Sequence, residues 1–209
     1  MVQELRGGAL VLDTRPAEQF AKLHIRGSIQ ISLMGNFASW AAFIIDPNQK
    51  LLLLAEDVTH AKEAHSRLER VGLARVIGYS LADEDQWRKE GLNLASISVE
   101  RCEQIHRTLQ SDSPLQLVDV RSRAEWLKGH LPGAISVPLL DLDPTTQIID
   151  PSKASLVYCH EGFRATTAAS ILLRGGAAEV GILIDGVEGW SALGLPLEMP
   201  ETPPPDRLP

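Results

Sequence analysis

The sequence predicts an α/β protein built from two similar halves, and two observations carry this prediction. Short apolar runs alternate with helical stretches along the 209 residues, which is typical of a parallel sheet covered by helices on both faces. The second half also repeats the first, because Asp13 matches Asp119 at an offset of 106 positions and Leu54 matches Tyr158 at an offset of 104. A repeat period of about one hundred residues indicates tandem domains.

Each half contains three apolar runs that we predict to be strands. They span residues 9–12, 51–54 and 75–77 in the first half and residues 115–120, 155–158 and 180–183 in the second. The apolar run 165–174 predicts a helix, which Gly175 and Gly176 close. The second half opens with residues that favour a capped amphipathic helix beginning near Ser98.

Composition and charge exclude several classes of function. A net charge of −7 argues against general affinity for nucleic acid or for anionic membranes. The apolar run 51–55 is too short to span a bilayer, and the N-terminus lacks a signal pattern. Cys102 and Cys159, 57 positions apart, fit neither a disulfide framework nor metal-ligand spacing. We therefore expect a cytoplasmic protein with no metal site and no nucleic-acid or membrane partner.

Cys159 is the strongest candidate for chemistry. It follows the predicted strand 155–158 and precedes a predicted helix, and ligands of parallel sheets bind at this end of the strands. A helix N-terminus favours negative charge, so we expect the nucleophilic thiolate to be stabilised there. Gly162 permits a tight curve in the loop. Arg164 supplies a permanent positive charge that can bind an oxyanion.

Four motifs occur in order along the second half. They are the loop 159–164 of the form Cys-x-x-Gly-x-Arg, Leu-Val-Asp-Val-Arg at 117–121, Gly-His-Leu-Pro-Gly-Ala at 129–134, and Asp-Gly-Val-Glu-Gly-Trp at 185–190. Residues 97–198 thereby resemble the rhodanese sulfurtransferases. Val187 departs from the pattern, since it stands where the family usually has a second glycine.

The resemblance implies two rhodanese-like domains, each with a parallel central sheet flanked by helices on both faces. It implies that Cys159 carries sulfur as a persulfide and that no metal or organic cofactor is required. The candidate substrate-binding residues are Arg164, His160, Glu161, Gly162, Phe163 and Arg121.

The first half has lost the chemical groups of the second. Ala55 stands where the second half has Cys159, His60 stands near the position of Arg164, and Glu56 and Asp57 place negative charge in the loop. We predict that residues 1–94 form an inactive rhodanese-like domain and residues 95–200 the catalytic one. The proline-rich tail 201–209 is predicted to be disordered.

Several assignments have an alternative. Arg121 can reach the donor or can form a structural ion pair with Glu125, and its repetition as Arg15 in the inactive half favours the ion pair. His160 and Glu161 either tune the choice of acceptor or are solvated loop residues.

Cys102, beside Ile105 on an apolar helix face, is predicted to pack in the core. A role as a resolving thiol is the alternative.

A cysteine phosphatase or arsenate reductase is the closest rival enzyme. Its loop has the form Cys-x5-Arg, whereas Arg164 comes one position earlier, so the shorter loop favours sulfur as the reacting atom. A 3-mercaptopyruvate sulfurtransferase is disfavoured, because the resembling enzymes carry small and hydroxyl residues in this loop.

The expected activity is transfer of a sulfane sulfur from thiosulfate or a low-molecular-weight persulfide to cyanide, a thiol or sulfite. The alternative is a non-catalytic sulfur-carrier or interaction module of a larger persulfide-oxidising protein. Residues 35–40, followed by an inactive and an active domain, resemble the C-terminal part of fusions with a metallo-β-lactamase-fold persulfide dioxygenase. Only residues 1–8 precede the first predicted strand, which leaves no room for the helix that is predicted to open the second half, so the chain looks clipped at its N-terminus. Such a dioxygenase is an expected partner domain, and this sequence lacks its metal motif.

Overall fold

The computed structural model describes residues 2–109, 115–143 and 148–200. The first half contains α1 (Val2–Arg6), β1 (Leu10–Asp13), α2 (Ala17–Lys22), β2 (His24–Ile25), β3 (Ile29–Gln30), α3 (Phe37–Ile44), β4 (Leu51–Ala55), α4 (Val58–Glu69), β5 (Val76–Leu81), α5 (Glu84–Lys89) and β6 (Leu94–Ala95). The second half contains β7 (Ser98–Glu100), α6 (Cys102–Leu109), β8 (Gln116–Asp119), α7 (Arg123–Trp126), β9 (Ile135–Ser136), β10 (Ser155–Tyr158), α8 (Phe163–Arg174), β11 (Val180–Leu183) and α9 (Gly186–Ala192). Within these ranges, no helix combines the length and the apolar content that a membrane crossing needs. The prediction for the tail 201–209 lies outside the described residues.

Each half forms its own parallel sheet, which confirms the predicted fold class. The strand order is β3-β1-β4-β5 in the first half and β7-β11-β10-β8-β9 in the second. The repeat also holds in the register, since Asp13 lies opposite Leu54 and Asp119 lies opposite Tyr158. The central strands β4 and β10 are buried along their whole length, as expected for strands covered on both faces.

Alternate residues of the second sheet pack against helices on opposite faces. Val118, Val157 and Ile182 share one core cluster with the small residues of α8. Leu117 and Leu156 point to the other face, in a cluster with residues of α6 and α9. The sheet therefore has apolar layers on both sides, and its strand ends carry the loops that form the candidate site.

The predicted start of a helix near Ser98 is wrong. Residues Ser98–Glu100 form β7, which pairs with Gly181–Leu183 of β11, and helix α6 begins at Cys102. The capping pattern at Ser98 is local, whereas the exposed edge of β11 offers backbone hydrogen bonds from distant residues, and these bonds prevail.

Helix α8 packs on the first half as well as on its own sheet. Gln30 of β3 is fully buried: its backbone N–H donates to Ser170 Oγ at 3.1 Å, and its Oε1 accepts from Thr167 Oγ1 at 3.4 Å. Arg174 at the end of α8 donates to the carbonyl of Gly27 at 2.7 Å. The two halves are thus joined through the helix that follows the Cys159 loop.

Candidate functional site

Cys159 lies at the carboxyl end of β10, where the chain turns sharply into α8. Its Sγ is buried and accepts a hydrogen bond from the backbone N–H of Gly162 at 3.1 Å. Gly162 has a φ of +84°, and a Cβ there would lie 2.6 Å from the carbonyl oxygen of Ile184. Glycine is therefore required for the curve that directs this N–H at the sulfur. A donor in this position stabilises negative charge on the sulfur.

Backbone N–H groups at the start of α9 bind the carbonyl groups of the Cys159 loop. The N–H of Val187 donates to the carbonyl of Cys159 at 3.0 Å, and the N–H of Glu188 donates to the carbonyl of His160 at 3.3 Å. Gly186 has a φ of +55°, and a Cβ there would lie 2.5 Å from the carbonyl oxygen of Cys159. The sequence motif at 185–190 contained this glycine, but sequence reasoning gave it no role.

Arg164 pairs with Glu125 across the site. Its two terminal nitrogens each donate to one carboxylate oxygen of Glu125 at 2.7 Å, a bidentate geometry that makes a strong ion pair. The Arg164 hydrogen bonds, aided by those from Ser122, hold the pKa of Glu125 at about 2. The same carboxylate raises the pKa of Arg164, with a smaller contribution from Cys159.

Glu125 is the partner of Arg164, and the sequence did not predict this pairing. Its sequence signal was the capping box, in which the Ser122 side chain and backbone both bond to the Glu125 side chain at the start of α7. That pattern predicts the helix start. It says nothing about an arginine 39 positions away.

Arg121 is buried beneath the site. It forms an ion pair with Asp119 at 2.7 Å and donates to the carbonyl of Gly129 at 2.8 Å. Arg15 forms the same pair with Asp13 in the first half at 2.6 Å. The structural partner of Arg121 is therefore Asp119 and not Glu125. Substrate contact by Arg121 stays a prediction, and one that this buried pair disfavours.

The remaining loop side chains face outward. His160 and Glu161 are exposed, and Phe163 is 56% exposed. His160, Glu161 and Glu188 have possible ligand atoms within 4.8 Å of one another. Exposed acidic groups often lie together without an ion, so we assign no metal site to them. The structure thus gathers Cys159 and Gly162 at the loop base, while the exposed residues lie at its mouth.

A cleft between the two halves lies beside the loop. It has a volume of about 360 Å³. The first half supplies Ile31, Ser32, Met34, Gly35, Asn36 and Trp40, and the second half supplies Leu139, Phe163, Arg164 and Thr167. Arg164 therefore belongs both to the loop and to the wall of the cleft.

The equivalent loop of the first half has a different polar arrangement. Ala55 ends β4, Glu56 accepts a hydrogen bond from Gln19 at 2.6 Å, and Asp57 caps α4 by accepting from the N–H of His60 at 2.8 Å. This loop has no thiol and carries negative charge at its mouth. That residues 1–94 are inactive stays a prediction.

Cys102 is buried on α6, where its thiol donates to the carbonyl of Gly186 at 3.5 Å. Burial, and to a smaller extent the charge of Asp185, raises the pKa of Cys102 to about 11. A thiol in this state is protonated at neutral pH, which suits packing better than attack on a disulfide or persulfide.

The fold and the site define a parallel-sheet protein with a cysteine-centred loop at its strand ends. The chain belongs to the rhodanese-like domain family, whose model matches residues 2–82 and 103–193. It is 27% identical over 99 residues to the Bacillus subtilis protein YrkF. That match covers 47% of this chain and 54% of YrkF. It is 29% identical over 99 residues to a protein of Allochromatium vinosum named sulfurtransferase, covering 47% of this chain and 92% of that protein.

Among solved structures, the chain is similar to a thiosulfate sulfurtransferase from Pseudomonas aeruginosa, with 21% identity and a TM-score of 0.41. That match covers 96% of this chain and 43% of the other. The chain thus spans about half the length of YrkF and less than half of the Pseudomonas enzyme.

Proposed function

We propose that this protein is a sulfurtransferase in which Cys159 carries a sulfane sulfur as a persulfide. The observation that carries the proposal is the hydrogen bond from the N–H of Gly162 to Cys159 Sγ, with the guanidinium of Arg164 five positions after Cys159 in the same loop. The name of the Allochromatium vinosum relative, sulfurtransferase, supports the same class of reaction.

The reaction consists of two displacements at sulfur. The Cys159 thiolate attacks the outer sulfur of the donor, the donor's S–S bond breaks, and its inner group leaves with the electron pair. The leaving group is sulfite when the donor is thiosulfate and a thiolate when the donor is an organic persulfide. An acceptor such as cyanide, a thiol or sulfite then attacks the outer sulfur, and the Cys159 thiolate is released. No external oxidant or reductant is needed.

The first half acts in this proposal as a support and not as a second catalyst. Its strand β3 contacts α8 through Gln30, and its residues form one wall of the cleft beside the loop. A metallo-β-lactamase-fold persulfide dioxygenase as partner domain, and a cytoplasmic location, remain part of the proposal.

Intact mass tests the carrier role of Cys159. After brief incubation with thiosulfate or with glutathione persulfide, the wild-type chain should gain about 32 Da, which cyanide should remove. Cys102→Ser should load in the same way, because this matched control keeps Cys159. Loading of Cys159→Ser, or no loading of the wild type by either donor, would overturn the proposal and leave the non-catalytic interaction module as the better reading.

A further inference from the structure

The positive charge of the loop is already neutralised. Both terminal nitrogens of Arg164 point to the carboxylate of Glu125 at 2.7 Å. Ser122 holds that carboxylate in place through its backbone N–H at 3.0 Å and its hydroxyl at 2.7 Å. Thiosulfate carries its two negative charges within one bond of the sulfur that Cys159 would attack, so its binding depends on an available cation in the loop 159–164, where Arg164 is the only arginine or lysine. Because Glu125 already accepts from both terminal nitrogens of Arg164, the ion pair leaves little positive charge for this small dianion.

The cleft beside Arg164 favours a different shape of ligand. Its volume of about 360 Å³ falls in the size range of small-molecule sites, about 300–1,000 Å³. Phe163 from the second half and Met34 from the first both line the cleft and are 56% and 75% exposed, and Trp40 of the first half lines it partly buried. Exposed apolar and sulfur-containing side chains of this kind suit the carbon part of an organic ligand.

We propose, on the basis of the sulfur-transfer function above, that Glu125 is a specificity-determining residue that disfavours inorganic thiosulfate and leaves the site selective for organic persulfides. The organic part of the donor lies in the cleft between Phe163 on one side and Met34 and Trp40 on the other. Its outer sulfur reaches Cys159, and after attack the S–S bond breaks and the organic thiolate leaves with the electron pair.

The inactive half shows the substitution that tests this role. At the offset of 106 positions that aligns Asp13 with Asp119, the residue of the first half that matches Glu125 is Gln19. The first half therefore has an uncharged amide at this position. Glu125→Gln keeps an acceptor for the Ser122 capping bonds, because glutamine also serves in a capping box. It removes the negative charge and one of the two acceptors for Arg164. The change therefore alters the charge at the site more than it alters the helix.

The experiment compares kcat/KM for sulfur loading from thiosulfate and from glutathione persulfide. In the wild type, glutathione persulfide should be the better donor. Glu125→Gln should raise kcat/KM for thiosulfate by about tenfold and change that for glutathione persulfide by less than about threefold. Trp40→Ala should show the opposite selectivity, with a loss confined to glutathione persulfide.

A control variant separates local charge from general destabilisation. Glu63→Gln removes the acidic partner of Arg67 in the inactive half, where the ion pair measures 3.3 Å, and should leave the donor ratio unchanged. An equal loss with both donors in Glu125→Gln, or a donor ratio unaffected by Trp40→Ala, would overturn the inference while sulfur loading itself persisted. No loading by either donor in the wild type would instead overturn the proposed function.

Discussion

Gly162→Ala should destabilise the protein and disable the Cys159 loop together. The backbone at Gly162 is left-handed, with a φ of +84°. A Cβ added there would lie 2.6 Å from the carbonyl oxygen of Ile184 and 2.9 Å from its Cδ1. The Ile184 side chain can rotate, but its backbone is tied to β7 because its N–H donates to the carbonyl of Glu100 at 3.1 Å. The loop is therefore the part that has to move.

The magnitude follows from two separate contributions. An alanine in the left-handed region costs about 1–2 kcal/mol, and forcing an extra carbon into a packed site costs about 1–3 kcal/mol. We expect Gly162→Ala to reduce the free energy of unfolding by about 2–5 kcal/mol. The displaced loop also turns the Gly162 N–H away from Cys159 Sγ, so the rate of sulfur loading should fall.

Urea unfolding followed by fluorescence measures the free-energy change, and Gly176→Ala is its matched control. Gly176 follows the other end of α8, has a φ of +97°, and has no atom within 4 Å of the added Cβ. Gly176→Ala should lower the free energy of unfolding by only the conformational contribution of about 1–2 kcal/mol and should load sulfur as the wild type does. Equal destabilisation by the two substitutions, or undiminished loading in Gly162→Ala, would refute the reasoning about the crowded loop.

Three further predictions concern the charged and thiol groups. Arg121→Met should lower the free energy of unfolding by about 3–5 kcal/mol in urea titrations, because it leaves the buried Asp119 carboxylate without its cation; a stable variant that only fails to bind donor would show that Arg121 is a substrate ligand instead. The pKa of Glu125 is lowered from 4.5 to about 2 in the folded protein, so its pair with Arg164 stabilises the fold above pH 4.5 and this contribution is lost as the pH falls through 2. The stability difference between wild type and Glu125→Gln should accordingly be constant near neutral pH and shrink in acid, and a difference that grows in acid would contradict the assignment. With its pKa raised to about 11, Cys102 should react with iodoacetate far more slowly in the native protein than in urea, as peptide mass mapping can measure; rapid native labelling would favour a resolving role.

The buried strands were predictable from sequence because each has to be apolar over its whole length. Residues 51–54 and 155–158 were expected as strands, and β4 and β10 occupy them with at most one residue more. A central strand of a parallel sheet packs on both faces, so its signal is contained in a few consecutive residues. The edge strand β7 gave no such signal, since Ser98 and Val99 are exposed and only their backbone pairing with β11 makes them a strand.

The ion pair of the loop arginine could not be predicted in the same way. Arg164 and Glu125 lie 39 positions apart, and a chain with 27 acidic and 20 basic residues allows many alternative pairings. The repetition of Arg15 as Arg121 favoured a structural ion pair, and both arginines form one, although the predicted partner Glu125 was wrong. Their partners, Asp13 and Asp119, are two positions away in each half.

The sequence by itself determined which half has a thiol at this strand end, because a cysteine at position 159 and an alanine at position 55 are facts of covalent chemistry. It also contains the glycine at position 162 that the left-handed backbone of the loop requires, since residues with a Cβ adopt this conformation only with strain. Only the tertiary structure decided what lies beside the loop of Cys159: the carboxylate of Glu125 on the loop arginine, and a cleft wall supplied by the first half. Both depend on which surfaces meet when two sheets and their helices pack together, and no local periodicity encodes that choice.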